Sequence, residues 1–320
     1  MKIKNITLYL ICTLLASIII YYSASFIGFI TYGWIISGLI CAIFGTANIC
    51  LSIISGLICL AFSYISGGIE GFILYSFIVV FGVITGILLK NKCTTMKIVL
   101  LNSAGCLISC VSYITYISYI SGTNAIVSYV NYIKPEFIEM MNEYVSSMGL
   151  NDYAAVITEF ADAYFVYVQN MLPSIFGVID LIFSFFSAII ISVVLKFSGK
   201  SNFFKFEFSK FMCDKTTTIV FFISFVCSML MKNGVLQTVF MNIFVILLFV
   251  FQVCGFSLID YFLKKKSMPL GVRVLILFVC FLFTTSLIML FALIITAILD
   301  SFKNYRKIGV DSNINGEGCE

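Results

Sequence analysis

Long apolar runs parted by short polar breaks set the pattern of this chain. Residues 5–89 carry no lysine or arginine, and the run gives way only at "SASFIG", "FGTAN" and "SGGIEG". These breaks predict four helices, near 5–22, 33–48, 50–66 and 72–89. A bilayer-crossing helix needs roughly 20 apolar residues. The segments are apolar on every face and lack the alternation of membrane-barrel strands. Beyond the basic loop "KNKCTTMK" a fifth helix covers about 98–120.

Residues 121–170 follow a different rule. Phe137, Met140, Met141, Tyr144, Val145 and Met148 recur at helical spacing, with Glu136, Glu139 and Glu143 on the other face. This is the pattern of an amphipathic helix. Pro135 suits its first position, Gly149 its end, and Asn151 or Asp152 caps the next helix. That helix is expected from 153 towards 170, bending at Pro173 into a sixth membrane helix over 172–195. "KFSGKSNFFKFEFSKFMCDK" then reads as a second amphipathic stretch, and helices near 216–231, 234–262 and 270–299 follow. The last run would be about 45 Å long as one helix. Thr284 and Thr285 near its middle allow two short halves that fold back.

The expected fold is therefore all-α: a polytopic helical membrane protein with eight or nine transmembrane helices and an extracytoplasmic amphipathic helical segment. It divides into N-terminal membrane helices (1–120), the amphipathic segment (121–170), C-terminal membrane helices with a basic cytoplasmic loop at 196–215 (171–308), and a disordered tail (309–320). Hydrophobic residues make up 61% of the chain and charged residues 11%, against about 25% charged in soluble domains. The lipid bilayer is the first partner this implies. Basic clusters flank apolar runs, as topology signals do, and place the N-terminus in the cytoplasm. The net charge of +4 is too small to imply nucleic acid. With the tail inside, every basic cluster lies on one side.

Candidate chemistry is sparse. Histidine is absent, and the 12 cysteines include no Cys-x-x-Cys pair. Cys106 and Cys110 share a helix face as small apolar residues. No metal set, cofactor site or nucleophile–base pair emerges, and an enzyme is not expected. "SGKS" at 198–201 has Val194 where a phosphate-binding loop needs glycine. Gly67 with Gly71, and Gly82 with Gly86, have the spacing that lets helices approach closely. Trp34 fits an interface anchor. Tyr113, Tyr116, Tyr119, Tyr129 and Tyr132 form an aromatic belt or line the mouth of a ligand site.

Asp180 is the most informative ionisable residue, about 12 Å into the sixth helix. A carboxylate at such depth points to function. Lys232, Asn233, Gln237 and Asn242, on the same outer side, complete a candidate ligand-binding set. Asp260 precedes Lys264 by four residues, a spacing for pairing on one helix face. Phe203, Phe204, Phe208 and Phe211, interleaved with lysines, are candidates for contact with the membrane interface or a protein partner.

"FQVCGFSLIDYFLKKK", "PLGVRVLILF" and the ending "AILDSFKNYRKI" (Asp300, Phe302, Tyr305, Arg306, Lys307), with "GVITGILLKNK" earlier, resemble the YybS-like family of predicted bacterial membrane proteins. The resemblance implies a bacterial plasma-membrane location. That family is loosely similar to the substrate-binding subunits of energy-coupling-factor transporters, although this chain has more helices. The likeness implies a small-molecule binding or transport subunit that docks on a cytoplasmic or membrane partner. The alternative is a non-transporting scaffold or regulator of a cell-envelope process.

Overall fold

A computed structural model describes residues 3–46, 49–90, 94–149, 154–231 and 234–306. The regular elements among the described residues are all helical: α1 (Ile3–Tyr22), α2 (Phe26–Thr46), α3 (Ile49–Lys90), α4 (Thr95–Ser121), α5 (Ala125–Ser147), α6 (Ala154–Phe197), α7 (Lys215–Leu230), α8 (Val235–Lys265), α9 (Leu270–Leu282) and α10 (Leu287–Lys303). By length and composition, α2, α4, Cys50–Lys90 of α3, Val156–Phe197 of α6 and α8 can each cross a membrane. Side chains such as Ile27, Phe197 and Ile288 stand exposed, a surface suited to lipid. The chain forms two compact units, Met1–Ile87 with Leu101–Ile190, and Leu88–Leu100 with Ile191–Glu320.

In the first unit α3 is a hairpin. Gly68 interrupts it at φ 59° and ψ −143°, a conformation essentially reserved for glycine. Beyond that point the chain returns on itself: a Cβ on Gly56 would lie 3.0 Å from Val79, and one on Gly71 would overlap the Ser63 carbonyl. On one straight helix residues 56 and 79 would be about 34 Å apart. The first half of α3 runs parallel to α1 at a constant offset, Thr13 Oγ1 lying 2.7 Å from Ser55 Oγ and Ser17 Oγ 3.9 Å from Cys59 Sγ. The second half repeats that offset against α2, with Gly82 on Ile40 and Gly86 on Phe44. Two like hairpins, α1–α2 and α3, therefore pack in register. Such close approach of small residues replaces the hydrophobic driving force that lipid removes.

Asn102 of α4 ties this bundle together. It is buried, donates to Ser187 Oγ of α6 at 3.0 Å, and accepts from Cys41 Sγ of α2 at 3.2 Å and Thr85 Oγ1 of α3 at 3.4 Å. Trp34 lies inside α2, whose start precedes the expected residue 33. Its indole N–H donates to the Thr31 carbonyl at 2.7 Å, and its ring stacks on Phe183 of α6. The ring is half-buried, packed on α6 along one face.

The 121–170 region is also helical, with three corrections. Asn124 caps α5, its side chain accepting from Ile126 N and Val127 N. Pro135 accordingly sits ten residues inside the helix and not at its first position. Gly149, at φ 74°, follows the end of α5 as expected, while Asn151 and Asp152 lie outside the described residues. The helices expected over 153–170 and 172–195 are one element, α6, which continues through Pro173. Val130, Ala161 and Phe165 form a small core between α5 and α6, with Ile133, Phe137 and Ile138 against it, and Lys134 pairs with Asp162. The predicted apolar stripe is thus split. Phe137, Met141 and Val145 are half-buried, while Met140, Tyr144 and Met148 stay exposed.

In the second unit residues 198–214 make a folded loop where an amphipathic stretch was expected. Gly199 takes φ 72°, Phe208–Lys210 is one 3-10 turn, and Asp214 caps α7 by accepting from Thr217 N at 2.8 Å and Thr217 Oγ1 at 2.6 Å. These bonds hold the Asp214 carboxyl below its usual range. The loop is held from several sides. Phe206 N–H donates to Ser192 Oγ of α6, and Ser257 Oγ of α8 donates to the Phe208 carbonyl. Glu207 meets Lys205, Lys210 and Lys264 at 3.4, 3.1 and 3.6 Å. Burial works to raise the Glu207 pKa, but the three lysines outweigh it and bring it below the usual range.

The run after residue 270 breaks at the 3-10 turn Phe283–Thr285 and extended Ser286. It begins and ends at one level of α8: Arg273 binds Asp260, and Arg306 binds Ser257 Oγ at 2.7 Å and the Cys254 carbonyl at 3.1 Å. A single straight crossing cannot do this, so α9 and α10 form a returning hairpin. Gly255 lets α10 approach closely; a Cβ there would lie 2.5 Å from the Leu293 carbonyl.

Candidate functional site

Asp180 stands out among the sequence-derived candidates. It is 8% exposed, and Asp180 Oδ2 has no hydrogen-bond partner. A buried polar atom left unpaired costs about 1–3 kcal/mol and calls for an explanation. Phe26 of α2 packs on Phe176, and Trp34 on Phe183, so Asp180 is level with Ile30. That is about 6 Å below the start of α2 at 1.5 Å per residue. Since α6 begins at Ala154, the depth expected from a helix start near 172 does not apply. Cys106 and Cys110 of α4 are both buried.

One turn above, a cavity of about 520 Å³ is lined by Phe26, Ile27 and Ile30 of α2, Tyr113, Ile114 and Ile117 of α4, Ala125, Ile126 and Tyr129 of α5, and Leu172 and Phe176 of α6. Leu172, Phe176 and Asp180 follow at i, i+4 and i+8, one face of α6. Helical side chains lean towards the N-terminus, so Asp180 leans towards the cavity. Phe26 and Tyr113 stack at 5.0 Å, 7° from parallel. Tyr113 Oη donates to Glu70 Oε2 at 3.1 Å, and Glu70 is exposed just beyond the α3 turn. Two of the five belt tyrosines, Tyr113 and Tyr129, thus line a cavity. Phe26, Glu70, Leu172 and Phe176 were not foreseen, though the spacing of Leu172 and Phe176 from Asp180 is visible in the sequence.

The rest of the predicted ligand set comes from residues 232–242. Gln237 and Asn242 belong to the second unit. Gln237 Nε2 donates to the Ser228 carbonyl at 3.4 Å, and the buried Asn242 donates to the Thr238 carbonyl at 2.8 Å. Lys232 and Asn233 lie outside the described residues. Asp260 is not paired with Lys264, which turns to Glu207. Arg273 takes the carboxylate instead, its Nη2 at 2.6 and 2.7 Å from the two oxygens and its Nε at 2.8 Å from Oδ1. A two-nitrogen guanidinium fork outcompetes one flexible ammonium. Of the four candidate contact rings, Phe204 and Phe211 are buried within the protein and Phe203 and Phe208 half-buried, so the first two do not face a membrane. Among the described residues no cluster of three or more His, Cys, Asp or Glu could hold a metal.

A family profile described as a predicted membrane protein, DUF2232, matches residues 10–300. The chain belongs to this family. No curated protein and no solved structure matches it. Family membership and the apolar helices make the chain a membrane protein, in contact with the lipid bilayer.

Proposed function

We propose that this DUF2232 protein is a small-molecule binding subunit, resembling the substrate-binding component of an energy-coupling-factor transporter, with its site at Asp180. The observation that carries this reading is a buried carboxylate with an unpartnered oxygen next to a preformed cavity. That pairing of an apolar pocket with one polar group is how ligand sites are built. The topology that goes with it has eight crossings, the α3 hairpin counting as two, and α9–α10 entering the bilayer without crossing. The positive-inside rule puts the lysine-rich loop and the N-terminus in the cytoplasm of a bacterial cell and the α5 hairpin outside. The cavity then opens near the outer surface.

The test is a thermal-shift screen of small molecules on the full chain in lipid nanodiscs. Ligands should raise the unfolding temperature of the wild type and leave Asp180→Asn, folded and equally helical, unmoved. Hits that stabilise both proteins equally would remove Asp180 from the site. A second reading, a scaffold that binds a partner outside, is favoured by exposed Met140, Tyr144 and Met148 on α5 and Phe160 on α6. Pull-down through Tyr144→Glu separates the two.

A further inference from the structure

We infer that the Asp180 pocket takes an organic cation, a protonated amine whose apolar body fills the cavity and whose charged end reaches the carboxylate. This rests on the pocket being a ligand site, and it adds the ligand's charge. Three independent observations point the same way. First, Asp180 Oδ2 is buried with no donor; an ammonium brings up to three N–H donors and the opposite charge. Second, the cavity walls are aromatic faces and aliphatic chains, with Tyr113 and Phe26 stacked on one side, and aromatic faces attract cations. Third, the surrounding charge is one-sided. Over residues 1–87 and 101–190 the sequence has eight carboxylates, against Lys2 and Lys4 at the first residues of the chain and, beyond them, a single lysine, Lys134. That lysine is paired with Asp162. Glu70, bonded to Tyr113, adds a carboxylate beside the cavity. Such a field concentrates cations and repels anions. The cavity volume of about 520 Å³ suits a drug-sized molecule, for which sites measure roughly 300–1,000 Å³.

Trp34 is the only tryptophan in the chain. It lies one turn below Ile30 of the cavity wall and stacks on Phe183, three residues from Asp180. Its fluorescence is therefore a built-in reporter. The full chain in nanodiscs is titrated with 2-phenylethylammonium, neutral 2-phenylethanol and anionic phenylacetate, followed by Trp34 emission and calorimetry. The ammonium should bind about tenfold or more tightly than the alcohol, the worth of one charge-assisted pair, and phenylacetate should not bind. Asp180→Asn should erase that preference, the ammonium falling to no better than the alcohol. Ile117→Phe, which fills the cavity, should weaken both. Equal affinity for ammonium and alcohol, or a preference that survives in Asp180→Asn, overturns the cation assignment while the pocket stands. Silence of all three probes on the wild type overturns the pocket itself.

Discussion

Arg306 explains why a polar ending closes so apolar a chain. Its Nε lies 2.8 Å from Asp300 Oδ2, both side chains almost wholly enclosed. Its Nη1 reaches the Ser209 and Phe211 carbonyls at 2.8 and 3.1 Å as well as Ser257, and Nη2 reaches Cys254. One guanidinium thus joins the end of α10, the 198–214 loop and α8. Only arginine has enough donors in a fixed plane to do so. Removing one partner of a buried pair strands the other, at about 3–5 kcal/mol. Arg306→Met should therefore destabilise the chain by that order, and adding Asp300→Asn should recover part of the loss. A double-mutant cycle by denaturant or thermal unfolding in detergent measures it, and a strictly additive double mutant would show that the pair is not coupled. Asp300 and Arg306 were visible in the sequence as a family-like ending. What they do was not, because their partners lie as many as 97 residues away. The same limit misdirected Asp260: a local rule favoured Lys264, while the true partner, Arg273, comes from beyond the next turn.

At the scale of elements, most helices were legible because lipid demands uninterrupted apolar length, and composition reports that directly. The errors fall where backbone geometry decides. The "SGGIEG" break marked the α3 reversal, but two of its glycines do different work. Gly68 has open space around its Cα yet a left-handed φ, whereas Gly71 has an ordinary helical backbone but would push a Cβ into Ser63. Gly68→Ala should cost roughly 1–3 kcal/mol through backbone strain and leave the helix spacing unchanged. Gly71→Ala should separate the two halves of α3, and its cost should grow with side-chain size from Ala to Val to Leu. Unfolding measurements on these variants and on Gly68→Leu test this; a rise in cost from Ala to Leu at Gly68 equal to that at Gly71 would contradict the distinction. The 198–214 loop was misread for a related reason. Alternating Phe and Lys look amphipathic, but a left-handed Gly199 and tertiary bonds from Ser192, Ser257 and Arg306 shape the segment.

For the whole molecule, the fate of residues 270–303 decides the side on which the tail emerges. Charge alone gave a conflict: one crossing would carry Lys303, Arg306 and Lys307 away from the other basic clusters. The returning α9–α10 hairpin resolves it within the second unit, since Arg306 ends beside the same loop that holds Lys205, Lys210 and, through Glu207, Lys264. Neither helix need span the bilayer; α9, at 13 residues, is about 20 Å long, well short of a hydrocarbon core of about 30 Å. The expected outcome is concrete. Protease sites are inserted one at a time after Gly149, after Gly199 and after Ser267, with a fourth appended to the tail. Sites at Gly199, Ser267 and the tail should be cut only in inside-out vesicles, and the Gly149 site only in right-side-out ones. A tail cut together with Gly149 would mean that the last hairpin opens into a ninth crossing, and with it the positive-inside argument for the C-terminal half would fail. A tail cut together with Gly199 and Ser267 would mean that the α9–α10 hairpin stays closed and returns the chain to the side it left after α8.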